Sequence, residues 1–304
     1  MSTIKKIGLI GLDTSHVTAF AKIFNDPSYE HHIPGFKITH GYAGGSPDLE
    51  VSYSRVDGFT QKLRDEFGVT ILDTPEAVAK EVDIVFITAV DGRVHRQLFE
   101  KVASFGRPTF IDKPFTSNLA DAKAIVELAA KHNIPLASCS SLRYSDRLTE
   151  ALNTAASDDP VVSVDVYGPM ATQPQLPGLL WYGVHGVEML IRAMGPGCVR
   201  VQTTTTETQD VVVGQWADGR LATYHGLRNS HSRFGLLIHR KSGVQFVDAS
   251  NLTTPWYVSM HQDVIPAFLR GESPFPVEDT VAVMAFIEAA NISRDNNGKV
   301  VETQ

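Results

Sequence analysis

The sequence predicts an α/β protein of two domains. A doubly wound parallel sheet is expected over residues 1–143, and an α+β domain with an open antiparallel sheet over residues 144–304. In the first part, short apolar runs alternate with segments whose apolar residues recur at helical spacing, as in parallel sheets covered by helices. In the second part, strand-like runs follow one another, and Asp218-Gly219 and Ser242-Gly243 are hairpin signals between them.

Regular elements can be placed in both parts from these patterns. In the first domain we predict strands at Lys6–Ile10, Lys37–Tyr42, Asp83–Ala89, Thr109–Ile111 and Leu136–Cys139, and helices around Val17–Phe24, Pro75–Glu81, Val94–Ala103 and Asn118–His132. In the second we predict strands at Val161–Val166, Val199–Thr205, Asp210–Trp216, Leu221–Leu227, Phe234–His239 and Val244–Val247, and helices at Ser145–Ala156, Trp181–Met194, Trp256–Arg270 and Val277–Ser293.

Composition narrows the class of function. The chain has 304 residues, of which 43% are apolar and 20% charged, an ordinary globular balance. Its net charge is −7 and it has no basic run, which argues against a nucleic-acid surface. The longest apolar stretch, Val82–Val90, is interrupted by Asp83 and is too short to span a membrane. Because no signal segment is recognisable, we expect a cytoplasmic protein without nucleic-acid or membrane partners.

The turn after the first strand is the first candidate site. It reads Gly11-Leu12-Asp13-Thr14-Ser15-His16, where a dinucleotide-binding turn has the pattern G-x-G-x-x-G. Only Gly11 keeps the pattern, but the following helix N-terminus still favours anions. An alternative is that Asp13 or Thr14 caps that helix. Asp13, Ser15 and His16 are too crowded in sequence to form a hydrolase triad.

The segment after the second strand does not decide whether the nucleotide carries a 2′-phosphate. Where an acidic residue usually holds the ribose, the chain has Gly44-Gly45-Ser46-Pro47-Asp48. The small residues leave room for a 2′-phosphate, whereas Asp48 is able to reach a ribose. A plain surface turn is the alternative.

Lys113 and His185 are the candidates for chemistry. Lys113 precedes Pro114, which favours an extended conformation at the carboxyl end of a strand, where a lysine can stabilise an oxyanion. A surface lysine paired with Asp112 is the alternative. His185 shares a helix face with Trp181 and Glu188, and a histidine can accept a proton from an alcohol.

His185 also has alternatives. A structural role is one, and a metal site with Glu188 is another, but no third ligand is recognisable nearby, so no metal is predicted. Tyr182, its neighbour on the same helix, is a further candidate for substrate contact.

Taken in order, these motifs resemble the Gfo/Idh/MocA oxidoreductase family, which is named for glucose–fructose oxidoreductase and inositol dehydrogenase. Ile7–His16 resembles the family's first strand and turn, and Thr88–His95 its fourth-strand loop. Asp112-Lys113-Pro114 resembles the E-K-P motif, and Ser141-Leu142-Arg143-Tyr144 the asparagine-x-arginine-aromatic segment. Gly183-x-His185-x-x-Glu188 resembles G-x-H-x-x-D.

The resemblance implies a Rossmann-type first domain and a second domain for substrate binding and dimerisation. It implies that Lys113 contacts nicotinamide and substrate, and that His185 is the acid–base residue. The cofactor, NAD or NADP, is then expected at Gly11, Leu12, Asp13, Thr14, Ser15, His16, Ala89, His95, Asp112, Lys113 and Pro114, and the substrate at Arg143, Trp181 and Tyr182. Trp181 stands where the family usually has an aspartate.

The sequence therefore predicts an NAD(P)-dependent oxidoreductase that acts on CH-OH groups of a sugar, cyclitol or related hydroxy compound. A homodimer or homotetramer is expected, because an antiparallel sheet with one uncovered face needs a partner. Two alternatives remain. An enzyme of the same fold can use a retained cofactor for transient oxidation, as a lyase or isomerase, and a cofactor-less chain would be a binding or regulatory protein.

Overall fold

The computed structural model describes residues 4–154, 156, 158–230 and 232–303. The chain forms two compact units. One comprises Met1–Cys139 and His261–Val277, and the other comprises Ser140–Met260 and Glu278–Gln304. The division of roles predicted for residues 1–143 and 144–304, with cofactor in one domain and substrate in the other, stays a prediction.

The first unit contains a six-stranded parallel sheet of order β3-β2-β1-β4-β5-β6. Its strands are β1 Lys5–Ile10, β2 Phe36–Tyr42, β3 Thr70–Ile71, β4 Ile84–Ile87, β5 Thr109–Ile111 and β6 Leu136–Ala137. The strand order reverses between β1 and β4, and ligands of such sheets bind where the carboxyl ends of strands meet this reversal. The predicted doubly wound parallel sheet is confirmed.

Six helices connect these strands, and two of them begin at a residue whose side chain caps the helix. They are α1 His16–Asn25, α2 Glu50–Tyr53, α3 Val56–Phe67, α4 Pro75–Glu81, α5 His95–Val102 and α6 Leu119–Lys131. Thr74 accepts a bond from the Ala77 amide ahead of α4, and Asn118 accepts one from Asp121 ahead of α6. Neither α2, α3 nor β3 was predicted from the sequence.

The second unit contains a mixed, mostly antiparallel sheet of order β12-β11-β7-β10-β9-β8-β13. Its strands are β7 Ser163–Pro169, β8 Cys198–Thr205, β9 Gln209–Trp216, β10 Leu221–Leu227, β11 Gly235–Arg240, β12 Gly243–Asp248 and β13 Val301–Glu302. Among the described strands of this second sheet, only β7 and β10 pair in parallel. The predicted open, mostly antiparallel sheet is thus confirmed.

The remaining helices are α7 Asp146–Asn153, α8 Gly183–Met194, α9 Trp256–Leu269 and α10 Val277–Asp295. Helix α8 packs against β7 and β10 and is buried along most of its length. Gly186 permits this contact, because a Cβ atom there would collide with the ring of Tyr224. Within the described ranges, none of the helices is both long and apolar enough to cross a membrane.

Candidate cofactor and substrate sites

Gly11 begins the turn after β1 and is required there by its surroundings. Its φ is +92°, a conformation that favours glycine, and a Cβ atom would lie 2.5 Å from the backbone of Ala89. Its carbonyl accepts a 2.6 Å bond from the Thr88 hydroxyl, and its amide donates to the Tyr42 carbonyl at 2.9 Å. The turn is therefore held closely against the loop that follows β4.

Asp13 occupies the position of the second glycine and points into the unit. Its side chain is fully buried, and the carboxylate accepts a 2.5 Å bond from the Ser52 hydroxyl and a 2.9 Å bond from the Val90 amide. Burial raises the pKa of Asp13, while these two bonds oppose the shift. The carboxylate is thus turned away from the N-terminus of α1.

The alternative that Asp13 caps α1 is wrong. Ser15 is the N-cap residue and its side chain makes no cap bond, while Thr14 accepts only a long 3.4 Å bond from the His16 amide. Most of the first-turn amides of α1 are consequently not capped by a side chain. This end of the helix retains the polarity that favours a phosphate group.

His16, at the position of the third glycine, contacts Asp112. Its Nδ1 lies 2.5 Å from the Asp112 carboxylate, and the Lys113 amide donates to the same carboxylate at 2.8 Å. Burial raises the pKa of Asp112, but the charge and hydrogen bond of His16 outweigh it, so that the pKa is lowered. This pair connects the start of α1 to the loop after β5.

Lys113 follows β5 and is half-buried rather than an exposed surface side chain. Its peptide bond to Pro114 is cis. Burial lowers the pKa of Lys113; the charge of Asp112 opposes this shift and that of Arg55 adds to it. A partly dehydrated ammonium at the carboxyl end of a strand is suited to polarising a substrate oxygen.

The loops after β2 and β4 are joined by Arg93, which the sequence did not single out. Its guanidinium binds Asp48 through two bonds of 2.8 Å and also binds buried Asp91. Asp91 in turn accepts a 2.6 Å bond from the Ser46 hydroxyl. Asp48, considered for a ribose, is therefore paired with an arginine.

His95 connects two loops near the same sheet edge. Its ring nitrogens lie 2.7 Å from the Ala89 carbonyl and 2.9 Å from the Phe115 carbonyl, and the side chain is fully buried. These contacts hold the backbone of Ala89, which lies against Gly11, and of Phe115, which follows Pro114. The cofactor-binding roles of His95 and Ala89 stay predictions.

The hydrogen bonding of Arg55 indicates whether the first unit suits an anionic dinucleotide. It precedes α3, and its Nε donates to the Val51 carbonyl. Its Nη2 is buried and has no hydrogen-bond partner in the part of the chain that the structure describes. A buried cationic N–H without a partner fits a site for a phosphate group.

The second unit positions His185 on α8. Its Nδ1 lies 2.6 Å from the Ser140 hydroxyl, which also accepts a 3.1 Å bond from the Leu142 amide. The rings of Tyr182 and Phe234 lie 5.3 and 5.7 Å from the imidazole, edge-on. Ser140 was missed in the sequence, although it lies beside the segment that resembles the family motif.

Arg143 forms buried ion pairs in the same unit. Its guanidinium binds Glu188 at 3.0 Å and Asp279 at 2.5 Å. Burial raises the pKa of Glu188, and the charge of Arg143 opposes it. Glu188 also accepts a 3.3 Å bond from the Ser140 amide, so this cluster supports the residue that holds His185.

The substrate-contact residues predicted around His185 differ in exposure. Trp181 is half-buried and Tyr182 is exposed at the start of α8. The substrate roles of Arg143, Trp181 and Tyr182, and the convergence of Lys113 with His185, stay predictions. No group of three or more metal-binding side chains is arranged to hold a metal ion within residues 4–154, 156, 158–230 and 232–303.

Known proteins resemble this chain mainly in fold. GenD2 from gentamicin A biosynthesis, solved with NAD, has 18% identity and a TM-score of 0.80, over 100% of this chain and 97% of that one. A probable dehydrogenase from Thermotoga maritima has 18% identity and a TM-score of 0.78, over 98% of each chain. Scyllo-inositol dehydrogenase from Lactobacillus casei, solved with NAD(H) and scyllo-inositol, has 15% identity and a TM-score of 0.78, over 99% of each. No curated protein matches the sequence.

The family comparison covers the first unit's sheet. Residues 6–138 match the family model described as an oxidoreductase family with an NAD-binding Rossmann fold. Because this family model describes an NAD-binding fold, the predicted nicotinamide dinucleotide cofactor is confirmed. The model that residues 6–138 match is that of the Gfo/Idh/MocA oxidoreductases, the family that the sequence motifs resemble.

Proposed function

We propose that this protein is an NAD(P)-dependent oxidoreductase that transfers a hydride between nicotinamide and a CH-OH group of a sugar, cyclitol or related hydroxy compound. The observation that carries the proposal is Lys113, half-buried directly after β5 in an NAD-binding Rossmann sheet. Burial lowers its pKa, which is typical of lysines with a chemical role.

Lys113 and His185 have separate roles in the proposed reaction. The chemistry that a bound nicotinamide dinucleotide supplies is hydride transfer at C4 of its ring. Lys113 would polarise the substrate oxygen through its ammonium group. His185 is bound at Nδ1 by Ser140, so it would hold the transferred proton on Nε2.

A carbohydrate-like substrate is supported by two observations. One of the similar structures contains scyllo-inositol, and another comes from the biosynthesis of gentamicin A. In this chain, Trp181 stands four residues before His185, where an indole ring can stack on the face of a sugar. We expect Trp181→Asp to weaken binding of such a ligand if the indole forms a wall of the site, and to raise dehydrogenase activity if it merely replaces the family's aspartate.

The test begins with titrations of the purified protein with NADH and NADPH, followed by fluorescence. A screen of cyclitols and sugars for a change in nicotinamide absorbance then separates net oxidation from transient oxidation. Binding without net turnover, but with substrate conversion, would indicate the lyase or isomerase alternative. Failure to bind either nucleotide would indicate the binding or regulatory alternative.

Two variants then test the assigned residues. His185→Ala should lower turnover by roughly 10²–10⁴-fold and leave nucleotide affinity nearly unchanged. Lys113→Ala should impair both turnover and nucleotide binding. Lys131→Ala, at an exposed position of the first unit, and His132→Ala, at a half-buried one, are matched controls. Full activity of His185→Ala would remove this residue from the mechanism.

The cytoplasmic location expected from the sequence remains a prediction.

A further inference from the structure

Arg55 is an arginine whose hydrogen-bonding capacity is largely unused by the protein. A guanidinium carries five N–H donors and remains charged. Here Nε donates to the Val51 carbonyl, whereas Nη2 is buried without a partner among the described residues. Burying a charged donor in this way is unfavourable, and an anion that reaches the guanidinium would satisfy it.

The position of Arg55 indicates which anion that is. Ser52, three residues earlier, donates to Asp13 in the turn after β1. The charge of Asp13 raises the pKa of Arg55 against the larger effect of burial, and the charge of Arg55 in turn helps to lower the pKa of Lys113. Arg55 therefore lies within electrostatic range of both the dinucleotide turn and the lysine.

The segment that precedes Arg55 also approaches the turn. An ideal Cβ atom on Gly44 would lie 3.4 Å from the Cα of Gly11, and one on Gly45 would lie 3.6 Å from the side chain of Val56, the first residue of α3. The loop after β2 thus runs from the turn to the start of α3. Arg55 directly precedes α3, at the end of this loop and of α2.

The composition of the turn after β1 is unfavourable for a phosphate group, and the charge of Arg55 can compensate for this. Two of its three glycine positions hold Asp13 and His16, and the Asp13 carboxylate adds negative charge beside a phosphate site. A guanidinium offsets that charge and binds phosphate oxygens through paired N–H groups. We propose that Arg55 binds a phosphate group of the dinucleotide cofactor, in place of contacts that the missing glycines provide in other turns. This inference rests on the proposed function, because it requires that a dinucleotide is bound.

Nucleotide titrations test the proposal without any measurement of turnover. Dissociation constants for NADH and for NADPH are measured by calorimetry on the unaltered protein, on Arg55→Gln and on Arg55→Ala. We expect binding to weaken by about 10- to 100-fold in both variants, the usual effect of losing a charged hydrogen bond. Equal losses for the two nucleotides would place Arg55 on the pyrophosphate, and a loss confined to NADPH would place it on the 2′-phosphate.

A control and a stability measurement exclude a merely structural role. Arg64→Gln changes an exposed arginine on the same helix and should leave both dissociation constants unchanged. The thermal midpoint of Arg55→Gln without added nucleotide should stay close to that of the unaltered protein, because removal of the unpartnered Nη2 offsets loss of the bond from Nε to the Val51 carbonyl. A lowered midpoint in Arg55→Gln would assign Arg55 to folding and overturn the inference.

The remaining outcomes separate this inference from the proposed function. Unaltered affinity in both Arg55 variants would overturn the inference alone, since the protein would still bind its cofactor. Failure of the unaltered protein to bind NADH and NADPH would overturn both.

Discussion

Asp13 is a buried carboxylate where a dinucleotide turn usually has glycine, and its hydrogen bonds make it part of the folded structure. Replacement by glycine would leave the Ser52 hydroxyl and the Val90 amide without their acceptor. Each buried donor left unsatisfied costs about 1–3 kcal/mol. We therefore expect Asp13→Gly to lower the free energy of unfolding by at least this amount, and Asp13→Asn, which keeps one acceptor, to lower it less.

Urea denaturation of the two variants measures this effect, and nucleotide titration of the same samples separates stability from binding. The carboxylate is turned away from α1, so we expect Asp13→Gly to retain or tighten nucleotide binding. Unchanged stability would contradict the structural role of Asp13. Loss of binding in a variant that is still folded would show that the carboxylate contributes to the cofactor site.

Ser140 is a positioning residue for His185. Its hydroxyl lies 2.6 Å from the Nδ1 atom of His185. Loss of one such bond is worth about 0.5–1.5 kcal/mol, so Ser140→Ala should lower kcat by roughly 3- to 10-fold with little change in KM. The kcat–pH profile should shift as well, and Ser140→Thr should restore it.

Ser145→Ala is the matched control for Ser140. Its hydroxyl is also buried and donates to the Ala249 carbonyl at 3.1 Å, without contact to the histidine in the described hydrogen bonds. This variant should keep the pH profile of the unaltered protein. An identical shift in both serine variants would indicate a general loss of packing instead of a specific effect on His185.

At the scale of elements, the sequence predicts those that bury a strong apolar pattern. Strand β4 is buried at every position and α8 at most positions, and both were predicted near their observed bounds. Helix α3 was missed because only Thr60 and Leu63 are buried in it, and Gly58 lies in its first turns. Strand β3 has two residues, too few for any periodicity.

The candidate site, too, could be predicted only in part from the sequence. Gly11, Lys113 and His185 stand in recognisable motifs, so they could be selected from the sequence. The contact between His16 and Asp112 joins residues 96 positions apart, and Arg93 reaches Asp48 across 45 positions. Such pairs depend on which strands become neighbours. Ser52 and Arg55 were missed for a related reason, since Ser52 lies in α2 and Arg55 directly precedes α3, and the apolar pattern revealed neither helix.

Helix α9 contributes a buried histidine to the first unit. His261 is fully buried and stacks on Phe86 with ring centroids 5.3 Å apart, and neither of its ring nitrogens has a hydrogen-bond partner in the described residues. Burial lowers its pKa to about 3. Between that value and the ordinary pKa of about 6.5, the unfolded chain binds a proton that the folded chain does not.

Stability should therefore fall as pH decreases through this window. The contribution of His261 is at most about 1.4 kcal/mol per pH unit. In His261→Phe this part of the slope should disappear, whatever the change in stability at neutral pH. Urea denaturation between pH 6 and pH 4, compared with the variant His132→Ala at a half-buried position, measures the difference. Equal slopes in all three proteins would contradict the neutral state of His261.

At the scale of the whole molecule, the sheet of the second unit has one face that the unit leaves partly uncovered. Leu221, Ser163, His239 and Val244 lie side by side across four strands, and Thr223, Asp165, Leu237 and Phe246 form the next row on the same face. The apolar members are exposed, with 51% for Leu221, 60% for Val244 and 59% for Phe246. Apolar side chains grouped on one face typically mark an interface.

We expect this face to mediate the homodimer, or one interface of a homotetramer. Burial of a large apolar side chain contributes roughly 1.5–3 kcal/mol, and a symmetric interface uses each residue twice. Phe246→Asp should consequently weaken association by more than about 100-fold, as measured by sedimentation equilibrium. Leu269→Asp changes a side chain of similar exposure, 55%, at the end of α9 and should leave association unchanged. A monomeric unaltered protein at tens of micromolar, or an unaffected Phe246→Asp assembly, would exclude this face as the interface.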